Sequence, residues 1–240
     1  VSALGLPDGI AACLFDLDGV LTPTAAIHAQ AWKAMFDDYL RTRSTTTGEP
    51  FQPFDLVHDY DEYVDGKPRA DGVRSFLQSR QITLPEASVD ELAERKDQLF
   101  LEQMHTHGVK PYPGSLQYLL AVRGARLKTA VVSSSRHCTQ VLSAAGLEGI
   151  FDAQVDGNVA ESRRLEGKPA PDTYLEAARI LGVEAAHAAV FEDALAGVAA
   201  GRAGGFGLVV GVDRAGQAQA LRAHGADVVV HDLAELLVRP

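Results

Sequence analysis

The sequence predicts an α/β protein, a doubly wound parallel sheet with a helical block inserted after its first strand. Three observations predict it. A short apolar run, Ala11–Phe15, ends abruptly in Asp16-Leu17-Asp18-Gly19, as a buried strand does where it enters a loop. From Pro113 onward apolar runs and helical periodicity alternate, the pattern of parallel strands covered by helices on both faces. Between these regions, from Thr24 to about His107, helical spacing dominates and strand signals are scarce.

Taken in order, the first strand at Ala11–Phe15 leads into helices at Ala26–Tyr39, Gly72–Ser79 and Ser88–His105. The stretch Arg41–Pro50, rich in Ser, Thr and Gly, is expected to be a mobile loop near the entrance to the site. After Pro113 the pattern gives helix Gly114–Val122, strand Thr129–Val132, helix His137–Ala145, helix Pro171–Leu181 and strand Ala188–Phe191. Helix Ala194–Ala203 and strands Phe206–Val210 and Asp227–Val230 complete it, with a further short strand expected within Ile150–Val155. The insertion, of about 80 residues, has the size of a small domain. Ligands of open α/β sheets bind beyond the carboxyl ends of the strands. Asp16 and Asp18, Ser133, and Glu192 with Asp193 all follow expected strands, so they should meet in one crevice.

With 240 residues and 46% hydrophobic content, the chain can bury a core without disulfides or a structural metal. Its net charge of −10 argues against a nucleic-acid partner, which is held by neutralising cations. Cys13 and Cys138 match neither a disulfide framework nor a zinc spacing, and reduced, buried thiols are the expectation. Val1–Ile10 lacks the basic and apolar parts of a signal peptide, and no segment is apolar enough to span a membrane. A cytoplasmic monomer without a membrane partner is therefore expected.

Asp16-x-Asp18-Gly19 could open a calcium loop. An EF-hand counted from Asp16 would need Gly and Glu where Leu21 and Ile27 stand, so that reading fails. The pair alone is weak, and so is each later candidate. Ser133 could cap a helix, Asp193 could cap Ala194–Ala203, and Lys168 could be an exposed loop cation. Their order carries more weight than any one of them.

The segments FDLDGVLT, VVSSS, GKPAPD and FEDA, beginning at Phe15, Val131, Gly167 and Phe191, together resemble the four ordered motifs of the haloacid dehalogenase (HAD) superfamily. The resemblance implies a Rossmann-like core at 1–23 and 108–240, with a helical cap domain at 24–107. It implies a Mg²⁺-dependent phosphotransferase in which Asp16 attacks phosphorus and carries an aspartyl-phosphate. Asp18 is then the acid and base, and Ser133 and Lys168 stabilise charge on the phosphoryl oxygens. The implied Mg²⁺ ligands are Asp16, the main-chain carbonyl of Asp18, Glu192 and Asp193.

Within the superfamily the chain is most similar to the β-phosphoglucomutase-like subfamily. Thr24 and His28 match a hinge threonine and a cap histidine, Arg69 matches the cap arginine for a distal phosphate, and Lys96 matches a cap lysine near the sugar. Ser134, Ser135 and Arg136 complete the expected substrate-binding residues. Three positions depart from the subfamily: Pro23 stands before the hinge threonine, Asp65 replaces a lysine, and His137 replaces an asparagine that helps bind the second phosphate. Read without the resemblance, His28 is a solvent-facing helix residue, and Lys96 is one cation on a solvated face with Glu94, Arg95 and Asp97.

The expected partner is a small sugar phosphate. The leading expectation is interconversion of β-glucose 1-phosphate and glucose 6-phosphate through a bisphosphate. A phosphatase of small phosphomonoesters is the alternative. A non-catalytic binding protein is disfavoured, because every implied catalytic position is filled. Gly204-Gly205-Phe206-Gly207 precedes an expected strand and so reads as a helix stop, not a dinucleotide loop. His105 and His107, before Gly108, read as helix C-terminal interactions.

Overall fold

The computed structural model describes residues 3–237. Val1 and Ser2, part of the N-terminal segment considered above, and residues 238–240, part of the expected core, lie outside them. Six parallel strands form one sheet in the order β3-β2-β1-β4-β5-β6. They are β1 Ala12–Phe15, β2 Lys128–Val132, β3 Ala153–Val155, β4 Ala188–Glu192, β5 Leu208–Val212 and β6 Val228–Val230. The chain winds outward from β1 to β3, returns to the other side of β1 with β4, and winds outward again. That reversal makes a switch point beside β1, where the strand ends leave a crevice.

Side chains alternate across the sheet. Cys13 and Phe15 join Val131, Phe191 and Val210 on one face, while Ala12 and Leu14 join Ala130, Val132 and Val190 on the other. The central strands β1 and β4 are buried throughout, as parallel strands covered on both faces must be. Cys13 and Cys138 are free and buried, and burial pushes both thiols up. Register then sets the site. Phe15 is level with Val131 and Phe191, so Asp16 emerges beside Glu192 and one residue short of Ser133.

The helices are α1 Thr24–Thr47, α2 Arg69–Ser79, α3 Glu86–His107, α4 Pro113–Gly124, α5 Cys138–Ala144, α6 Gly157–Arg163, α7 Asp172–Leu181, α8 Leu195–Ala203 and α9 Ala218–His224. The first three belong to the inserted block. They enclose a hydrophobic cluster of their own around Trp32, Phe36, Phe54, Val73, Phe76 and Val89. Trp32, Met35, Phe36 and Leu40 of α1 recur at helical spacing and are buried. The foot of the block, including Ala31, Phe100 and Met104, packs instead into the cluster on one sheet face. Among the described residues, no helix is long and apolar enough to cross a membrane.

One expectation fails. Arg41–Thr47 is not a loop but the last two turns of α1, which ends where Gly48 takes a left-handed conformation and its N–H bonds Ser44 O. The hydroxyls of Thr42, Thr45, Thr46 and Thr47 donate to the carbonyls four residues back. Threonine can thus satisfy itself inside a helix as well as in a turn. Arg43, Ser44 and Glu49 line a surface hollow distinct from the cavity that contains Asp16.

Other readings agree with the structure. His107 Nδ1 meets Gln103 O at 2.9 Å in the last turn of α3, and Gly204 and Gly205 end α8 ahead of β5. Helices α6 and α9 and a π-helical turn at Tyr60–Val64 are additions to the expected elements.

Candidate active site

The carboxyl ends of β1, β2 and β4 bring Asp16, Ser133, Glu192 and Asp193 together. All four are buried. Lys168, from the loop before α7, reaches between them: its Nζ is 2.5 Å from Asp16 Oδ1, 2.6 Å from Glu192 Oε1 and 3.2 Å from Val132 O. The three donors of an ammonium are thereby used. Lys168 is 2% exposed, so it is not a loop cation on the surface. Burial alone would lower its pKa, but the carboxylates of Asp16 and Glu192 outweigh burial and raise it. Glu192 also accepts from Tyr174 Oη at 2.9 Å and from the Ala194 N–H at 3.1 Å.

Close packing of these acids depends on two glycines. Gly19 has φ +89°, and a Cβ there would collide with the Asp193 carboxylate; one at Gly197 would collide with the Glu192 carboxylate. Asp193 does not cap α8, whose N-cap is Ala194. Asp16, Glu192 and Asp193 each offer a carboxylate oxygen within 4.8 Å of the others. Burial raises the Asp193 carboxyl, and Asp65, Glu192, Asp16 and Asp18 raise it further. Asp16 is also raised, first by burial and then by Glu192 and Asp18, against the pull of Lys168. Three crowded carboxylates with negative charge left over suit a hard divalent cation that prefers oxygen ligands.

Asp18 stands at the centre of a second group. It accepts a short hydrogen bond from Thr24 Oγ1 and another from Ser133 Oγ at 3.3 Å, and His28 Nε2 lies 3.4 Å from its Oδ1. Burial pushes the Asp18 carboxyl up, yet His28, the hydrogen bonds and Lys96 prevail and hold it at about 2. His28 is not turned to solvent. Its ring stacks on Phe100 at 3.9 Å, and its Nδ1 is 2.5 Å from Lys96 Nζ. As an ammonium, Lys96 can only donate, which leaves the ring proton on Nε2, facing Asp18. Lys96 is 2% exposed and lies over the Trp32 and Phe100 rings, so it does not belong to a solvated face. Burial and the nearby Arg69 bring its pKa down to about 7.

Asp16, Asp18, His28, Lys96, Arg69, Ser134 and Ser135 line one cavity of about 50 Å³. Ser134 Oγ donates to Gly66 O at 2.7 Å, tying the sheet to the inserted block. Ser135 Oγ accepts from the His137 N–H at 3.1 Å. Arg136 is not brought in: it pairs with Glu161 at 3.0 Å and lines a neighbouring hollow. Several cavity residues escaped the sequence reading, among them Trp32, Tyr60 and Lys67. Asp65 also lines it, and burial, opposed by the Tyr60 hydrogen bond and aided by Glu192, raises its carboxyl to about 7. Asp97, which the sequence places with its neighbours on a solvated face, contacts both Arg69 and His137.

A profile of haloacid dehalogenase-like hydrolases matches residues 10–205. The chain belongs to the haloacid dehalogenase-like hydrolase family. As a member of that family it is an enzyme. Similar family members include the β-phosphoglucomutase of Mycobacterium tuberculosis, 54% identical over 98% of this chain and 94% of that protein. The β-phosphoglucomutase of Bacillus subtilis is 32% identical over 94% of this chain and 91% of its own length. Among solved structures, the β-phosphoglucomutase of Clostridium difficile superposes with a TM-score of 0.76 at 25% identity, covering 95% of this chain and 93% of that one. Haloacid dehalogenase architecture thus accounts for both the parallel sheet and the helices inserted after β1.

Proposed function

We propose that this enzyme is a Mg²⁺-dependent phosphomutase that interconverts β-glucose 1-phosphate and glucose 6-phosphate through a bisphosphorylated sugar. One observation carries the reading: the carboxylates Asp16 and Asp18 share a single cavity with Lys67, Arg69 and Lys96. A sugar with a phosphate at each end has a chemical counterpart for both; because it is larger than the closed cavity of about 50 Å³, the inserted block has to move away from the sheet to admit it. The 54% identity to a β-phosphoglucomutase supports it.

In this proposal Asp16 is the nucleophile and carries the phosphoryl group. Asp18, held at about 2 by its partners, stands ready as a base. With Asp16 phosphorylated, Asp18 takes the proton of the sugar hydroxyl that attacks phosphorus, and the Asp16 oxygen leaves. When the other phosphate is passed to Asp16, Asp18 returns that proton to the departing sugar oxygen. His28, with Nε2 towards Asp18 and Nδ1 on Lys96, and Thr24 hold Asp18 in place. Ser133 donates to the phosphoryl oxygens, and the Lys168 ammonium, fixed beside Asp16 Oδ1, acts through its charge on the negative charge that shifts there in the transition state. Asp16, the main-chain carbonyl of Asp18, Glu192 and Asp193 would hold Mg²⁺, whose charge would lessen the repulsion between the Asp16 carboxylate and the anionic phosphate. Arg69, Ser134 and Ser135 receive the second phosphate. Residues 24–107 act as the cap over a core of 1–23 and 108–240, excluding water from the phosphoaspartate. The protein acts as a cytoplasmic monomer on small sugar phosphates, with no nucleic-acid or membrane partner.

The test supplies Mg²⁺, β-glucose 1-phosphate and a trace of the bisphosphate, and follows glucose 6-phosphate and free phosphate separately. Glucose 6-phosphate should form in excess over free phosphate, and a chelator should abolish it. Phosphate release from many esters without glucose 6-phosphate would replace this reading with the phosphatase alternative.

A further inference from the structure

Arg69, Asp97 and His137 come from three separate elements: the first turn of α2, the middle of α3, and the residue preceding α5. One carboxylate joins them. Asp97 Oδ1 is 2.6 Å from Arg69 Nη1, and its Oδ2 is 2.8 Å from His137 Nε2. His137 is anchored on the sheet side, with Nδ1 2.7 Å from Gln140 Oε1 and its backbone N–H on Ser135 Oγ. Asp97 therefore ties the inserted block to the sheet domain at the cationic end of the cavity.

This bridge is unlike the buried ion pairs at Lys168. The side chains of Arg69, Asp97 and His137 remain 21%, 21% and 17% exposed, whereas those of Lys168 and Glu192 are 1% and 0% exposed. A partly hydrated pair can be exchanged for a better partner; one sealed from water cannot be opened without stranding a charge. Arg69 and Asp97 both line the cavity of Asp16 and Asp18. A phosphate dianion offers more oxygens and more charge to a guanidinium than a carboxylate does, and the exposure of Asp97 gives its side chain a way out.

We propose that Asp97 is a specificity-determining residue: it holds Arg69 and His137 until a second anionic group on the substrate displaces it from both. The proposal rests on the reading that this end of the cavity receives a second phosphate. Sugars with a single phosphate leave the bridge intact when that phosphate is at Asp16, while a bisphosphate opens it and takes its partners.

Calorimetric titration in the Asp16→Asn background, with Mg²⁺ present and turnover blocked, tests this with β-glucose 1,6-bisphosphate as probe. Adding Asp97→Ala should tighten its binding by about threefold to tenfold, the scale of one or two partly exposed ion pairs. Asp97→Asn, which keeps the shape and loses the charge, should do the same to a smaller degree. In the free protein, amide hydrogen exchange around residues 66–70 and 134–138 should quicken in both variants. Unchanged or weakened bisphosphate binding together with faster exchange would overturn the competition and make Asp97 a fixed prop for Arg69. Unchanged exchange would overturn the bridge itself. If the Asp16→Asn protein bound no bisphosphate at all, the underlying two-phosphate reading would fall, a result distinct from either of these.

Discussion

The two ends of the cavity are built on different principles. At the sheet end, Asp16, Glu192 and Asp193 sit on or just beyond adjacent strands, and backbone register decides their spacing. At the other end, Arg69, Lys96 and Asp97 extend from α2 and α3 on long or partly exposed side chains. The first end is fixed before any ligand arrives, which suits charge stabilisation by preorganised groups. At the second, the partly exposed Arg69–Asp97 pair is proposed to exchange partners, which suits selection among substrates.

The sharpest way to break this contrast is to remove the carboxylate of Asp16, the proposed nucleophile. Asp16→Asn should lower both mutase turnover and small-ester hydrolysis on the order of 10⁴-fold or more while the circular dichroism spectrum stays native. Retained turnover would mean that the sheet end does not hold the reacting group. Next in size is Lys168→Met, which strands Asp16 and Glu192 without their cation. Breaking a buried pair costs about 3–5 kcal/mol, so thermal denaturation should shift down by roughly 6–20 °C. A smaller shift would show that the sheet end is not sealed.

Arg69→Ala should reduce mutase turnover by about 10- to 100-fold, the worth of a lost charge-assisted contact. It should leave hydrolysis of p-nitrophenyl phosphate, which has no second phosphate, within about twofold. Equal losses would erase the division between the two ends.

The last expected effect is a pH dependence of stability. Burial and Arg69 hold the folded Lys96 ammonium at about 7 rather than 10.5. Between those values the unfolded chain binds a proton that the folded chain does not, so this group makes stability rise with pH. Lys96→Met removes that slope. The melting temperature of the variant relative to wild type should therefore be highest at pH 7 and decline towards pH 10.5. A difference independent of pH would count against a depressed Lys96.

The same division explains what could be read from the chain alone. Asp16, Ser133 and Glu192 each end an apolar run, and a run that stops at a polar residue marks both a buried strand and its carboxyl end. Parallel architecture then brings those ends together. Asp97 has no such marker. It lies in Glu94-Arg95-Lys96-Asp97, a stretch indistinguishable from a solvated helix face until α3 is placed against Arg69 and His137. Tyr174 was similarly hidden, since its contact with Glu192 follows only from the docking of α7 on the sheet. The threonines of Arg41–Thr47 misled in the opposite direction, because a hydroxyl that favours turns bonds its own helix equally well. The neighbours Ser134 and Ser135 point to Arg136 as a further site residue, but one further residue of loop turns it towards Glu161.

Trp32 is the only tryptophan in the chain. It stacks on Phe36 within the inserted block, lines the cavity and has the Lys96 ammonium 5.0 Å from its ring. Indole emission responds to a nearby charge and to water. The protein therefore carries its one indole on the wall between the two ends, and a ligand that displaces water or charge there should change the colour or brightness of that emission without any label being attached.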